Sequence, residues 1–190
     1  MKKLLLIISA VLISCFLFGC TQNNDAKIGE LNNAALDKLN SGDCNGAIEG
    51  YTQLLELSPN NIHGLEGRGL AKVTCGDYLG AIQDFDAYVL VEPNYDGIYL
   101  HRGDAKFAAS DYPNAIQDYT KFISMEENNT NESFHATTYT LAYAYDKRGR
   151  AYHYADNEAG AKSDLDKANE LDPNFLGYDH TKTTTTGWDD

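Results

Sequence analysis

Apolar residues fall into two unlike patterns along the chain. Leu4 to Phe18 is one apolar run, broken only by Ser9 and Ser14, behind Met1-Lys2-Lys3 and ahead of the polar Thr21-Gln22-Asn23-Asn24-Asp25. Fifteen residues fall short of the roughly 20 that a helix needs to cross a bilayer. With a basic start and a small-residue end, residues 1–19 read as a secretory signal peptide. From Ile28 onward the apolar residues recur at three- and four-residue steps, which predicts amphipathic helices. Leu65, Leu70 and Val73 serve one such helix, and Ile82, Phe85, Tyr88 and Val89 serve the next. Tyr99 and Phe107, then Ile116, Tyr119, Phe122 and Ile123, repeat the arrangement.

The repetition has a fixed period. Gly42-Asp43-x-x-x-Ala47-Ile48 returns 34 residues on as Gly76-Asp77-x-x-x-Ala81-Ile82, and after another 34 as Ser110-Asp111-x-x-x-Ala115-Ile116. A fourth copy follows 46 residues later as Asp156-Asn157-x-x-x-Ala161. Arg68-Gly69-x-Ala71, Arg102-Gly103-x-Ala105 and Arg148-Gly149-x-Ala151 keep the same phase. Asp43, Asp77, Asp111 and Asn157 stand where a second helix would need its free amides capped. Pro59, Pro93 and Pro173 stand where that helix would stop. A 34-residue helix–turn–helix unit buries its apolar face only by stacking on a neighbour.

This pattern resembles the tetratricopeptide repeat. The resemblance covers four copies: 28–61, 62–95, 96–129 and 142–175. It implies an all-α fold, a right-handed superhelix of four helix–turn–helix repeats with an A and a B helix in each. The mid-helix Gly69, Gly103 and Gly149 are expected where a neighbouring helix comes close. Residues 130–141 are a surplus over the period, read as an insertion that extends the next A helix from about Glu132 to Tyr154. Lys162 and Asn169 replace the apolar residues of the other B helices and leave a solvated end face. Residues 176–190 read as a disordered tail.

A second resemblance lies at the front. Leu17-Phe18-Gly19-Cys20 is similar to the lipobox of bacterial lipoproteins, in which the Cys is acylated and becomes the new terminus. That makes Cys20 the lipidation site and 20–27 a tether, with Cys15 as the competing position. Thr21 after the lipid carries no Asp-type retention signal. The implied location is the cell envelope, on the periplasmic side of the outer membrane.

Composition narrows the partners. The net charge of −13 argues against nucleic acid, since phosphates would be repelled. No nucleophile–His–acid motif, phosphate loop or His-Glu-x-x-His occurs, and the five His are dispersed. Neither catalysis, nor a metal, nor a cofactor is expected. The acid pairs Asp84/Asp86 and Asp164/Asp166 are read as solvated faces of B helices.

The resemblance implies instead a concave groove lined by A helices. Carrying its positions over gives His63, Glu66, Leu70 and Val73 from the second copy, and Leu100, Asp104 and Phe107 from the third. The extended helix adds His135, Tyr139, Tyr143, Asp146, Arg150 and His153. With Glu66, Asp104 and Asp146 outnumbering Arg150, the partner segment should carry basic or apolar anchors. The carboxylate clamp of some relatives is not reproduced, because its sites here include Asn32, Leu36, Gly67, Gly97 and His101. The implied function is an envelope adaptor that binds another envelope protein; the alternative is a self-assembling structural subunit. Finally, Cys44 near the start of one helix and Cys75 near the end of another come close if consecutive helices pack antiparallel. They either bond or remain two small buried thiols, because periodicity leaves side-chain direction open.

Overall fold

The computed structural model describes residues 24–128 and 138–173. Eight helices account for most of them: α1 (24–40), α2 (Cys44–Leu57), α3 (Ile62–Thr74), α4 (Tyr78–Val91), α5 (Gly97–Ala108), α6 (Tyr112–Glu127), α7 (Thr138–Tyr154) and α8 (Glu158–Leu171). No strand occurs among the described residues. The signal peptide at 1–19, Cys20 and the tail at 176–190 lie outside them. The segment read as a tether, 20–27, is helical from residue 24. Of the insertion, residues 138–141 form the first turn of α7, and the preceding residues lie outside the description, His135 among them.

The helix starts follow from capping chemistry. Asp43, Asp77 and Asn157 each accept a hydrogen bond from the amide three residues on, at Gly46, Gly80 and Gly160, over 2.9–3.0 Å. Each satisfies one amide that the first helical turn leaves without a partner. Asp111 departs from the set. Its carboxylate takes the side-chain amide of Asn114 instead, at 2.8 Å, and caps no backbone amide of α6. The stops at Leu57, Val91 and Leu171 each precede a proline by two residues.

The turns ahead of α2, α4, α6 and α8 share a backbone feature. Gly42, Gly76, Ser110 and Asp156 all have positive φ, at 84°, 80°, 61° and 57°. Glycine adopts this conformation freely, whereas a serine pays about 1–2 kcal/mol for it. Ser110→Gly should therefore stabilise the protein by about 0.5–1 kcal/mol, the relief of strain exceeding the added freedom of the unfolded chain. Thermal denaturation of the variant reads this directly, and an unchanged or lower midpoint would refute it.

The chain divides into two compact units, the first ending at Cys75 and the second beginning at Gly76. The division cuts the second copy of the period between α3 and α4. In the first unit, α1, α2 and α3 enclose Ala35, Ala47, Tyr51, Leu54, Leu55, Leu65 and Ala71. Cys44, the first residue of α2, and Cys75, directly after α3, are joined as a disulfide with a Cα separation of 5.8 Å. The short loop 58–61 closes the α2–α3 pair at one end and the disulfide closes it at the other.

In the second unit, α4 to α8 pack in sequence around Phe85, Ile98, Tyr119, Phe122, Ala142, Ala144 and Leu165. At Gly149 a Cβ would stand 3.2 Å from the Ala161 carbonyl oxygen and 3.0 Å from Leu165. The glycine lets α7 lie close on α8. Lys162 and Asn169 are exposed on α8.

The arginines of the repeated Arg-Gly-x-Ala motif tie the second unit together. Arg102 on α5 reaches Asp118 on α6 with two bonds of 2.6 and 2.9 Å, and Asp86 on α4 at 2.7 Å. Arg148 on α7 reaches Asp164 on α8 at 2.6 and 2.8 Å, and Thr120 on α6 at 3.1 Å. Planar guanidinium groups suit such two-pronged pairing with carboxylates. Burial alone would lower the pKa of Arg102 and Arg148, but their bonds and charges to the carboxylates raise both above the ordinary value.

These pairs correct the reading of the acid pairs. Asp164 is buried against Arg148 while Asp166 is exposed, and Asp84 is likewise buried while Asp86 is exposed. Residues two apart on an α-helix point about 200° apart, so they cannot share one solvated face.

Candidate functional site

The proposed groove residues gather into two sets, one in each unit. In the first unit a cleft of about 230 Å³ lies among three helices. Asn32, Leu36 and Leu39 of α1 form one wall, Tyr51 of α2 the floor, and His63, Glu66, Gly67 and Leu70 of α3 the other wall. His63, Glu66 and Leu70 thus stand together as the sequence placed them, while Val73 is half-buried and does not line the cleft. The Tyr51 ring occupies the space that a Cβ at Gly67 would need. Burial, and next the charge of Glu66, push the Tyr51 hydroxyl pKa up.

The second set is organised around Asp104 on α5. Its carboxylate accepts hydrogen bonds from Tyr119 on α6, at 2.8 Å, and from Tyr143 on α7, at 3.0 Å. Burial raises the Asp104 pKa, partly offset by Tyr119, by the positive charge of Lys147 and by Tyr143. The Tyr119 hydroxyl is pushed far up, by burial first and by Asp104 next. Lys147 lies over the rings of both Phe107 and Tyr143, 5.4 and 5.3 Å from their centroids. Phe107 meets Tyr112 and Tyr154 edge-on, and those two rings stack 4.8 Å apart. His153, next to Tyr154, contacts Glu158 at 2.7 Å.

Two groove candidates belong elsewhere. Leu100 is buried in the core of the second unit. Asp146 is 3% exposed and pairs with Arg150 at 2.9 Å. The side chain of Tyr139 lies outside the described residues. The expected surplus of acid charge is consequently much reduced: Asp146 is neutralised by Arg150, and Asp104 is held by two hydroxyls beside Lys147. The groups gathered on this face of the second unit are aromatic rings and a lysine rather than open carboxylates.

Lys147 adds to the groove residues expected from the sequence, four residues after Tyr143 and so on the same helix face. Tyr119, whose place in the period predicts packing alone, also completes the Asp104 site with its hydroxyl. Among the described residues, no cluster of His, Cys, Asp and Glu could hold a metal ion.

Comparison with known proteins agrees with this architecture. The tetratricopeptide-repeat family model matches residues 142–175. No curated protein matches the chain. Among solved structures, a crystal structure of MamA is similar at 25% identity and a TM-score of 0.63, covering 73% of this chain and 74% of that one. MamA from Desulfovibrio magneticus RS-1, residues 41 to the end, gives a TM-score of 0.67 at 18% identity over 77% and 76% of the two chains. The first tetratricopeptide domain of Spaghetti (RPAP3), solved bound to the HSP90 peptide SRMEEVD, gives 0.57 at 21% identity over 69% and 97%. Residues 142–175 thus carry the tetratricopeptide repeat, and the described helices share the all-α fold of that repeat's solved arrays.

Proposed function

We propose that this chain is an adaptor of the bacterial cell envelope, tethered by a lipid on Cys20, that binds a segment of another envelope protein on the faces of its A helices. The observation that carries the adaptor reading is the gathering of groove residues on α3, α5 and α7, including His63, Glu66, Leu70, Asp104, Phe107 and Tyr143, into a cleft and an aromatic–lysine face. The Spaghetti domain, which shares the fold, binds an HSP90 peptide. The lipid reading rests on Leu17-Phe18-Gly19-Cys20 behind an apolar run.

A photoreactive residue in place of Tyr143, cross-linked in cells and followed by mass spectrometry, should capture one envelope protein. Capture that persists when Phe107 and Lys147 are replaced by Ala would refute this face as the contact. Cys20→Ala should release the chain from the membrane fraction, whereas release by Cys15→Ala alone would move the anchor. Leu79 and Leu90, 71% and 87% exposed on α4, favour a second reading in which copies self-associate. Light scattering at micromolar concentration separates the two, since growing assemblies fit only the second.

A further inference from the structure

We propose that the Cys44–Cys75 disulfide is a redox latch on the cleft of the first unit, holding it in its binding shape when oxidised and releasing α3 when reduced. The consequence for partner affinity rests on the adaptor reading; the opening itself does not.

The geometry supports a latch rather than an incidental cross-link. The α2–α3 pair is joined by the loop 58–61 at one end and by the disulfide at the other. Opening the disulfide removes the covalent tie between the start of α2 and the end of α3 and leaves the loop 58–61 as the link between the two helices, so the pair can loosen at the disulfide end. Between its ends Arg68 Nη1 on α3 donates a long hydrogen bond to the Thr52 hydroxyl on α2, at 3.4 Å.

The cleft stands directly on this pair. Four of its lining residues, His63, Glu66, Gly67 and Leu70, are on α3, and Tyr51 of α2 packs into the space over Gly67. Movement of α3 away from α2 takes the floor from the cleft. Both cysteines are half-buried rather than enclosed, which leaves the sulfurs within reach of a small dithiol. One thiolate of that dithiol attacks a sulfur of the disulfide and forms a mixed disulfide, releasing the other cysteine as a thiolate that takes up a proton. The second thiolate of the reductant then displaces the remaining cysteine and closes its own disulfide. Two electrons pass to the protein and two free thiols result.

Hydrogen exchange on the full chain tests the latch without any partner. Amides of α3 are compared in the oxidised protein, after dithiothreitol, after reoxidation, and in the Cys44→Ser/Cys75→Ser double variant. The expected result is exchange at least about tenfold faster in α3 on reduction and in the double variant. Amides of α5 to α8 should change by less than about twofold, and reoxidation should restore the original protection. Unchanged protection of α3 would overturn the proposal, as would loss of protection spreading through α5 to α8, or failure to recover. An intact latch with no effect on cross-linking from Leu36 would instead count against the cleft as the partner site.

Discussion

Arg148→Ala should cost the protein about 3–5 kcal/mol, the range for breaking a buried ion pair by removing one partner. The Arg148 side chain is 15% exposed and that of Asp164 is 8% exposed. Its two bonds to Asp164 are the side-chain contacts that compensate this carboxylate, and alanine would leave the charge in a poorly solvated place. The double substitution Arg148→Met/Asp164→Leu should recover most of the loss, because no charge is then buried. Arg102→Ala should cost less than Arg148→Ala, since Lys106 remains 2.7 Å from Asp118. Urea denaturation of the four proteins orders them. A cost below about 1 kcal/mol for Arg148→Ala, within the range of an exposed pair, would show that water replaces the guanidinium at no great penalty.

Replacing both Cys44 and Cys75 by Ser should lower the stability of the first unit by about 3–4 kcal/mol in the chain-entropy model, given a closed loop of about 31 residues. The effect should be large relative to what remains. The strut position of the other A helices, held by Arg102 and Arg148, is Ala34 in α1, and the matching acid of α6 and α8 is Gly50 in α2. The disulfide thus ties the first repeat, where Ala34 and Gly50 stand in place of the strut arginine and its acid. Non-reducing mass spectrometry of exported protein should find Cys44 and Cys75 linked. Two free thiols there, or a variant as stable as the parent, would remove both this expectation and the latch.

The repeat phase was legible because its markers answer to backbone constraints. Capping side chains favour helix starts and a proline ends the helix before it, whatever the partner. The struts were visible in the same way but unread. Arg102 and Arg148 served as phase markers, yet their acids Asp118 and Asp164 stand 16 residues on in each case, a second regularity in the same rows. The candidate site was read less completely. His63, Glu66 and Leu70 share a face by spacing alone, but the burial of Leu100 and the pairing of Asp146 depend on what packs over them. Lys147 could have been found from its place one turn after Tyr143, and Tyr119 could not, because its hydroxyl meets Asp104 across two helices.

Local rules acting over a few residues therefore determined the starts of α2, α4 and α8, the stops ahead of Pro59, Pro93 and Pro173, and the 34-residue phase from the sequence by itself. Three matters were decided only by the tertiary structure. These are the joining of Cys44 to Cys75, the sorting of each acid pair into one buried and one exposed member, and the assembly of Asp104 with Tyr119, Tyr143 and Lys147. Each depends on the direction of a side chain relative to a neighbouring helix. Helical periodicity places a residue on a face, but the rotation and separation of packed helices, set by how glycines, alanines and rings fill the space between them, determine what that face meets.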